Sequence, residues 1–267
     1  ANGIIMVNTK AGREGPVKLN ARVDVNITTP VQNIDMLDGV DYMRLYNQAR
    51  ISRDPVLGSY YSEQKIQSTA NGENAMIYPN VDWYQTLFKQ STTNTKANVN
   101  ISGGGKVATY YVSGGADKET GLLRVDNKNN FNNNINIGRY FIRSNVVFKL
   151  TNTTRLDTRI QGRFERYNGP YESASNIFRM IMNSNPVDFP AYYQPDAANE
   201  FTDHILFGNS YVAGSLKPNP YASMVRGYED RNESSISAQA TLTQDLDALL
   251  KGLKIQGKAS VNTWSKY

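Results

Sequence analysis

The stretch VKLNARVDVNI, residues 17–27, decides the fold because apolar and polar residues alternate along it without an exception. Apolar side chains occupy its odd positions, and Lys, Asn, Arg or Asp occupies each even position. A period of two predicts a β-strand with one apolar face and one polar face. The run exceeds the usual strand length of about 5–6 residues and matches the roughly 9–11 residues that a tilted strand needs to cross a bilayer.

The same alternation returns in six further segments. It is clean in 155–165, 235–243 and 253–263 and less clean in 95–102, 107–114 and 139–150. The sequence therefore predicts seven antiparallel strands.

The two faces of the predicted hairpin 139–165 differ strongly in polarity. One face is charged and carries Arg143, Lys149, Arg155, Asp157, Arg159 and Arg163. The other is apolar and carries Tyr140, Ile142, Val146, Phe148, Leu156, Ile160 and Phe164. A soluble antiparallel sandwich also alternates and stays open as an alternative. Long strands with a charged face favour a transmembrane barrel, and we expect the charged face to line its lumen and the apolar face to contact lipid.

The predicted connections alternate between short and long. They cover 28–94 (long), 102–106 (tight), 115–134 (medium), 151–154 (tight), 166–233 (long) and 244–252 (short). Outer-membrane barrels have short periplasmic turns and long outer loops, so the long connections are predicted to lie outside. Within them, 35–50 and 173–186 have helical spacing, the second with Ser173 or Ser175 as its N-cap.

Composition excludes several functions. The chain has 267 residues, a net charge of +5, no cysteine and one histidine, His204. Thiolate and His-rich metal sites are excluded, and no basic block points to nucleic acid. The carboxylate pairs Asp35/Asp38, Glu229/Asp230 and Asp245/Asp247 are expected in loops or turns, where acids are solvated. We therefore predict no enzyme activity, no metal site and no cofactor.

Aromatic residues in the long connections are the only candidates for ligand contact. They either anchor the loops, which is the more common role, or stack on a ligand. These weak candidates are Tyr60, Trp83, Tyr84, Tyr192 and Tyr193.

Three stretches carry a resemblance to a known family. They are ANGIIMVNTKAGREG (1–15), NVDWYQTLFKQSTTNTKANVNISGGGKVATYYVSGG (80–115) and LLKGLKIQGKASVNTW (249–264). They resemble three segments of the SusC/RagA-like TonB-dependent outer-membrane transporters. In order, these are the end of the plug, the N-T-D-W segment with its S-G-G hairpin, and a recurrent strand opening.

The resemblance implies an all-β fold, in which residues 1–15 end a plug domain and 16–267 form about seven strands of a 22-stranded antiparallel barrel. Residues 1–10 should then pair with the plug, and the strands at 17–27 and 253–263 should meet strands outside this chain.

The resemblance also implies a function in the bacterial outer membrane. The family imports large nutrients, glycans or oligopeptides, with a SusD-like lipoprotein as a lid and the TonB complex contacting a more N-terminal segment. The alternative is a soluble extracellular carbohydrate-binding or adhesive β domain.

Overall fold

The computed structural model describes residues 10–32, 34–125, 128–212 and 214–267. Seven long strands form one antiparallel sheet in chain order, so each strand pairs with its sequence neighbour. The strands are β1 (Gly15–Thr28), β2 (Thr92–Gly104), β3 (Ala108–Thr120), β4 (Asn136–Lys149), β5 (Thr154–Pro170), β6 (Tyr228–Asp245) and β7 (Lys254–Lys266). Strands β1 and β7 are the two edges of the sheet, as predicted. The predicted pairing of residues 1–10 with the plug falls almost wholly outside the described residues. None of the described helices is long and apolar enough to cross a membrane.

The register of the sheet aligns the apolar residues of all seven strands on one face. One transverse row runs from Ala21 through Val99, Gly114, Ile142, Gly162 and Ile236 to Thr263. Because side chains alternate along each strand, the neighbouring rows on this face continue the same apolar surface. The two faces predicted for the hairpin 139–165 are therefore the two faces of the whole sheet.

Several strands run further than the alternation predicted. Strand β5 continues to Pro170 and β6 begins at Tyr228, so the connection between them is 171–227 instead of 166–233. The pairs Glu229/Asp230 and Asp245/Asp247 were expected in loops or turns, but Glu229, Asp230 and Asp245 lie on β6. Both faces are polar at these ends, which removes the period of two while the backbone ladder continues.

The short turns gather at one end of the sheet, where the chain enters β1. They comprise 105–107, 150–153 and 246–253. Residues 10–14 lie there across the charged face: Asn145 Nδ2 donates to the Lys10 carbonyl oxygen (2.6 Å), and Glu14 pairs with Lys149. A Cβ at Gly12 would overlap the Tyr110 backbone, so this close approach requires glycine.

The long connections gather at the opposite end and are called the loop cap here, defined as 29–91, 121–135 and 171–227. Their helices are α1 (Gly39–Arg53), a 3₁₀ turn (Pro55–Leu57), α2 (Glu63–Ala70), α3 (Trp83–Leu87), α4 (Ala174–Met182) and α5 (Pro220–Val225). Two-residue strand pairs join Tyr192–Tyr193 to Leu206–Phe207 and Tyr211–Val212 to Ser215–Leu216.

Both predicted helices are confirmed. Helix α1 begins after Asp38, whose side chain accepts from the Val40 amide (2.8 Å). Helix α4 begins after Ser173, whose hydroxyl accepts from the Asn176 amide (3.2 Å). These side-chain caps satisfy amides that the first helical turn leaves unpaired.

Apart from Pro170 at the end of β5, the large buried apolar residues of the described chain lie in the loop cap. The larger cluster draws on all three connections and contains Trp83, Leu87, Leu123, Ile177, Ile181, Phe189, Ala191, Tyr221, Met224 and Val225. A smaller cluster contains Met43, Tyr61, Ile66 and Val187. The apolar residues of the sheet are exposed instead: Val23 is 68% exposed and Ile160 is 50% exposed. The cap is thus packed like a soluble domain, while the apolar face of the sheet has no cover.

Candidate ligand-binding cleft

A cleft of about 520 Å³ opens in the loop cap between α1, the end of α4 and the residues Val212, Lys217 and Pro218. Its walls combine aromatic rings, two methionines and polar groups of both signs. The lining residues are Tyr42, Tyr46, Tyr60, Tyr61, Arg179, Met180, Met182, Asn183, Ser184, Asn185, Asp188, Phe189, Val212, Lys217 and Pro218. Mixed apolar and polar walls are typical of small-molecule sites.

Four tyrosines form one side of the cleft. Tyr42 and Tyr46 lie one turn apart on α1, and their ring centroids are 6.1 Å apart. Tyr60 and Tyr61 follow the 3₁₀ turn, and their rings meet edge to face at 4.8 Å. The Tyr46 ring lies 5.3 Å from Tyr60 and 5.5 Å from Tyr61, which joins the two pairs. Tyr61 is buried, while Tyr46 is 41% and Tyr60 51% exposed, so two rings remain open to a ligand.

Two asparagines hold these tyrosines in place. Asn47 Oδ1 accepts from the amides of Tyr60 and Tyr61 (both 2.9 Å), and its Nδ2 donates to the Tyr61 carbonyl oxygen (2.8 Å). Asn185 Nδ2 donates to the hydroxyl oxygens of Tyr61 (2.9 Å) and Tyr42 (3.3 Å). The aromatic wall is therefore fixed before any ligand arrives, which lowers the entropic cost of binding.

The charged groups of the cleft centre on Asp188. Burial raises the pKa of this half-buried carboxyl above its ordinary value, and the positive charges of Lys65 and Lys217 oppose that rise. Burial also lowers the pKa of Lys65, whose ammonium donates to the Val187 carbonyl oxygen (3.0 Å) and lies 5.4 Å from the Tyr61 ring centroid. Within the described part of the chain, Asp188 has no hydrogen bond or ion pair, so its oxygens are available to a ligand.

The structure separates the five aromatic residues predicted from sequence. Tyr60 lies in the cleft. Trp83 is fully buried and its Nε1 donates to the Asn185 carbonyl oxygen (3.0 Å), so it anchors the cap. Tyr84 stacks on Phe88 (5.2 Å), and Tyr192 packs against Tyr221 (5.4 Å), both beside the larger cluster. Tyr193 is half-buried in the short strand pair with Leu206–Phe207.

Sequence reasoning missed Tyr42, Tyr46 and Asp188 as cleft residues. Tyr42 and Tyr46 have the i, i+4 spacing of one helix face, which was a usable signal for a paired aromatic surface. Asp188 gave no signal, because only the packing of α1 and α4 brings it to the tyrosines.

The charged face of the sheet carries a second ordered feature. One transverse row places a charged residue on every long strand: Asp24, Lys96, Asp117, Arg139, Glu165, Glu233 and Lys266. Arg139 bridges Glu119 (2.8 Å) and Glu165 (2.9 Å), and Glu165 also binds Arg163 (3.0 Å). Such a row requires water or polar partners against this face.

A long-stranded antiparallel wall with one apolar face, one charged face and long connections at a single end has the architecture of one part of an outer-membrane β-barrel. The resemblance to SusC/RagA-like TonB-dependent transporters is confirmed by comparison with known proteins. The chain is 24% identical to TonB-dependent receptor P39 of Formosa agariphila over 281 residues, which cover 99% of this chain and 25% of that receptor. It is also 24% identical over 152 residues to TonB-dependent receptor SusC of Bacteroides thetaiotaomicron, covering 56% of this chain and 13% of SusC.

Solved structures show the same fold. The RagAB peptide importer aligns in its closed-closed state with a TM-score of 0.61 at 14% identity, and in its open-open state with a TM-score of 0.62 at 15% identity. Each alignment covers 97% of this chain and 29% of the importer chain. No family model matches the sequence. The chain thus spans between 13% and 29% of the length of these relatives, which are named as receptors and importers.

Proposed function

We propose that the chain forms part of the barrel wall and outer loops of a TonB-dependent importer in the bacterial outer membrane. The observation that carries this proposal is the location of apolar surface. The hydrophobic clusters of the described residues lie in the loop cap, whereas the apolar face of the sheet is uncovered. A soluble protein rarely exposes an apolar surface this large, but hydrocarbon would cover it in a membrane.

The dimensions of the apolar face support a membrane position. Along β5 it runs from Leu156 to Phe164, which is about 26 Å along the strand and about 20 Å along the membrane normal at a tilt near 40°. This length is close to the apolar band of about 25 Å in outer-membrane barrels. The charged row at the level of Arg139 faces the other side, where a hydrated lumen or a plug domain would solvate it.

The sorting of the connections supports a proposal for which end of the sheet lies on each side of the membrane. The loop cap belongs outside the cell, where it can contact both a ligand and a surface lipoprotein of the SusD kind. The turns 105–107, 150–153 and 246–253 belong in the periplasm. Residues 10–14, which lie against the charged face, belong to the stretch 1–15 that the resemblance implies to be the end of the plug.

The imported ligand is a large nutrient, and the cleft lined by Tyr60 is its proposed contact in this chain. RagAB is named a peptide importer, which keeps an oligopeptide beside a glycan as a possible ligand class. TonB would act through segments outside this chain.

Cysteine labelling of the full-length receptor in living cells tests the topology. Phe201 is 91% exposed in the loop cap, and Asn152 is exposed in a short turn at the other end. A membrane-impermeant maleimide should label Phe201→Cys in intact cells and Asn152→Cys only after the outer membrane is opened. The reverse pattern would invert the topology. Recovery of the receptor as a detergent-independent soluble monomer would instead support the soluble binding domain.

A further inference from the structure

We propose that the apolar face of the sheet carries a binding site for a membrane lipid with a phosphate headgroup, close to the loop cap. The phosphate would lie between Lys118 and Arg166, and the acyl chains would lie in a groove beside Phe164. The inference rests on the proposed function because the apolar face must contact lipid.

The charged residues of the apolar face are few and lie together. Of the residues that the seven long strands place on this face, only Lys118, Arg166 and Asp230 are charged. Lys118 and Arg166 belong to one transverse row, in which Gly138 on β4 stands between them. The row lies six residues beyond Ile160 on β5, towards the loop cap, so its charges reach the membrane interface instead of the hydrocarbon.

Gly138 leaves an open notch between the two cations, and Lys118, Gly138 and Arg166 are called the basic notch here. Neighbouring strands are about 4.8 Å apart, so the backbones of Lys118 and Arg166 are separated by about 10 Å. No side chain stands between them in the row. An added Cβ at Gly138 would lie 3.8 Å from the Tyr140 hydroxyl oxygen, so this hydroxyl group also reaches the notch. A phosphate over Gly138 is therefore within reach of an ammonium, a guanidinium and a phenol.

The basic notch has free donors and a positive charge. Lys118 is exposed, and among the described residues its side chain has no hydrogen bond or ion pair. Arg166 Nη2 donates to Asp230 (2.9 Å), which leaves other guanidinium N–H groups for a second acceptor. Asp230 lies on β6, on the far side of Arg166 from Lys118, so its carboxylate does not occupy the notch. Two cations and one carboxylate give a net charge of +1, which favours a singly charged anion.

A groove beside the basic notch offers room for the acyl chains of the same lipid. It has a volume of about 300 Å³, and its lining includes Tyr140, Phe164, Arg166 and Tyr267. All three rings are exposed. Phe164 lies two residues nearer to Ile160 than Arg166 does, so the groove leads from the notch towards the bilayer midplane. A free phosphate would use the notch alone, whereas a lipid would use the notch and the groove together.

Fluorescence quenching at the groove tests the proposal. The full-length receptor carries an NBD fluorophore on Ser234→Cys, a position that lines the groove, and this chain has no other cysteine. The receptor is reconstituted in phosphatidylcholine vesicles with increasing fractions of phosphatidylglycerol whose chains carry a nitroxide quencher. Quenching relative to nitroxide-labelled phosphatidylcholine measures the preference of this site for the anionic lipid.

The receptor without further substitution should prefer phosphatidylglycerol at least about 5-fold at this position. Lys118→Gln should reduce the preference about 5-fold, which is the factor expected for one cation near a membrane surface. Gly138→Val should reduce it to a similar extent, because its side chain fills the notch although no charge changes.

Lys96→Gln is the matched control. Lys96 pairs across the strands with Asp117, the residue before Lys118, and lies on the charged face. Its substitution removes the same charge at nearly the same level of the sheet and should leave the lipid preference unchanged. Each variant is checked for folding by its gel mobility before and after heating.

The possible outcomes separate this inference from the proposed function. A membrane-inserted receptor overturns the site, and leaves import untouched, if it has no lipid preference or if either notch variant keeps the preference. An equal loss in Lys96→Gln would assign the preference to net charge and overturn the site as well. Loss of the preference when inorganic phosphate replaces chloride at equal ionic strength would show that the notch takes a free anion instead of a lipid. Recovery of the receptor as a detergent-independent soluble monomer would refute the membrane position itself.

Discussion

Replacing Ile160 by arginine tests which face of the sheet contacts lipid. Ile160 lies in the middle of the apolar run Leu156–Phe164, opposite Ser144 on β4 and Ala238 on β6. If that face contacts lipid, the substituted guanidinium would lie near the bilayer midplane. There it should lower the free energy of unfolding by about 2–4 kcal/mol.

An arginine that already lies on the same face, Arg166, offers a comparison for this substitution. Arg166 lies on the same face six residues further along β5, which is about 20 Å along the strand and about 15 Å along the membrane normal at the usual tilt. That distance is half the hydrocarbon thickness of about 30 Å, so Arg166 reaches the interface. Its side chain is 68% exposed and pairs with Asp230 (2.9 Å). Arginine is therefore tolerated at position 166, because its charge reaches the membrane interface. It should not be tolerated at position 160, because its charge would lie near the bilayer midplane.

Ser237→Arg is the matched control on the opposite face. Its cross-strand neighbours are Gln161, which accepts from Arg143 (3.1 Å), and Asn262, so the new charge lies on the charged face, where water in the lumen screens it. A change of no more than about 0.5 kcal/mol is expected. Folded receptor is quantified by its gel mobility before and after heating and by denaturant titration in detergent micelles. A tolerated Ile160→Arg together with a destabilising Ser237→Arg would show that the two faces are assigned the wrong way round.

Three further predictions concern the loop cap and the entry to β1. Trp83→Ala should destabilise the cap by about 3–5 kcal/mol because a fully buried ring is lost, and limited proteolysis should then cut the cap while the heat-dependent gel shift of the barrel persists. Gly12→Ala should release residues 10–14 from the Tyr110 backbone and speed tryptic cleavage at Arg13. The control Gly105→Ala should not change this cleavage, because an added Cβ at Gly105 meets nothing. Equal cleavage in both variants would contradict the close packing. The raised pKa of Asp188 means that its carboxyl group binds a proton more tightly in the folded cap than in the unfolded chain. The cap should therefore become more stable as the pH falls from neutral towards 3.8, the ordinary pKa of an aspartate. Hydrogen exchange of α1 should show this gain in the wild type and not in Asp188→Asn; a gain of the same size in both would assign it to another group.

The sequence alone determined the seven-stranded sheet and its two faces. Alternation along a strand is a local property, and tight turns such as 105–107 set the register between neighbours, so the faces of Ile142 and Ile160 follow from spacing alone. The sorting of short and long connections was likewise visible in the chain. Strand ends were misplaced where both faces turn polar, because the period of two then disappears although the backbone hydrogen bonds continue. The short helices α2 and α5 were not predicted, since they have only eight and six residues, too few to show a helical period.

Only the tertiary structure decided which loop residues form a site. Trp83 and Tyr60 are both aromatic residues of the first long connection, and nothing in their sequence neighbourhoods separates the buried anchor from the open cleft wall. Burial depends on contacts between 29–91, 121–135 and 171–227, segments far apart in the chain. The same packing brings Asp188 to the tyrosines of α1 and to the charges of Lys65 and Lys217. Strand faces follow from local periodicity, but a cleft exists only after distant segments have packed together.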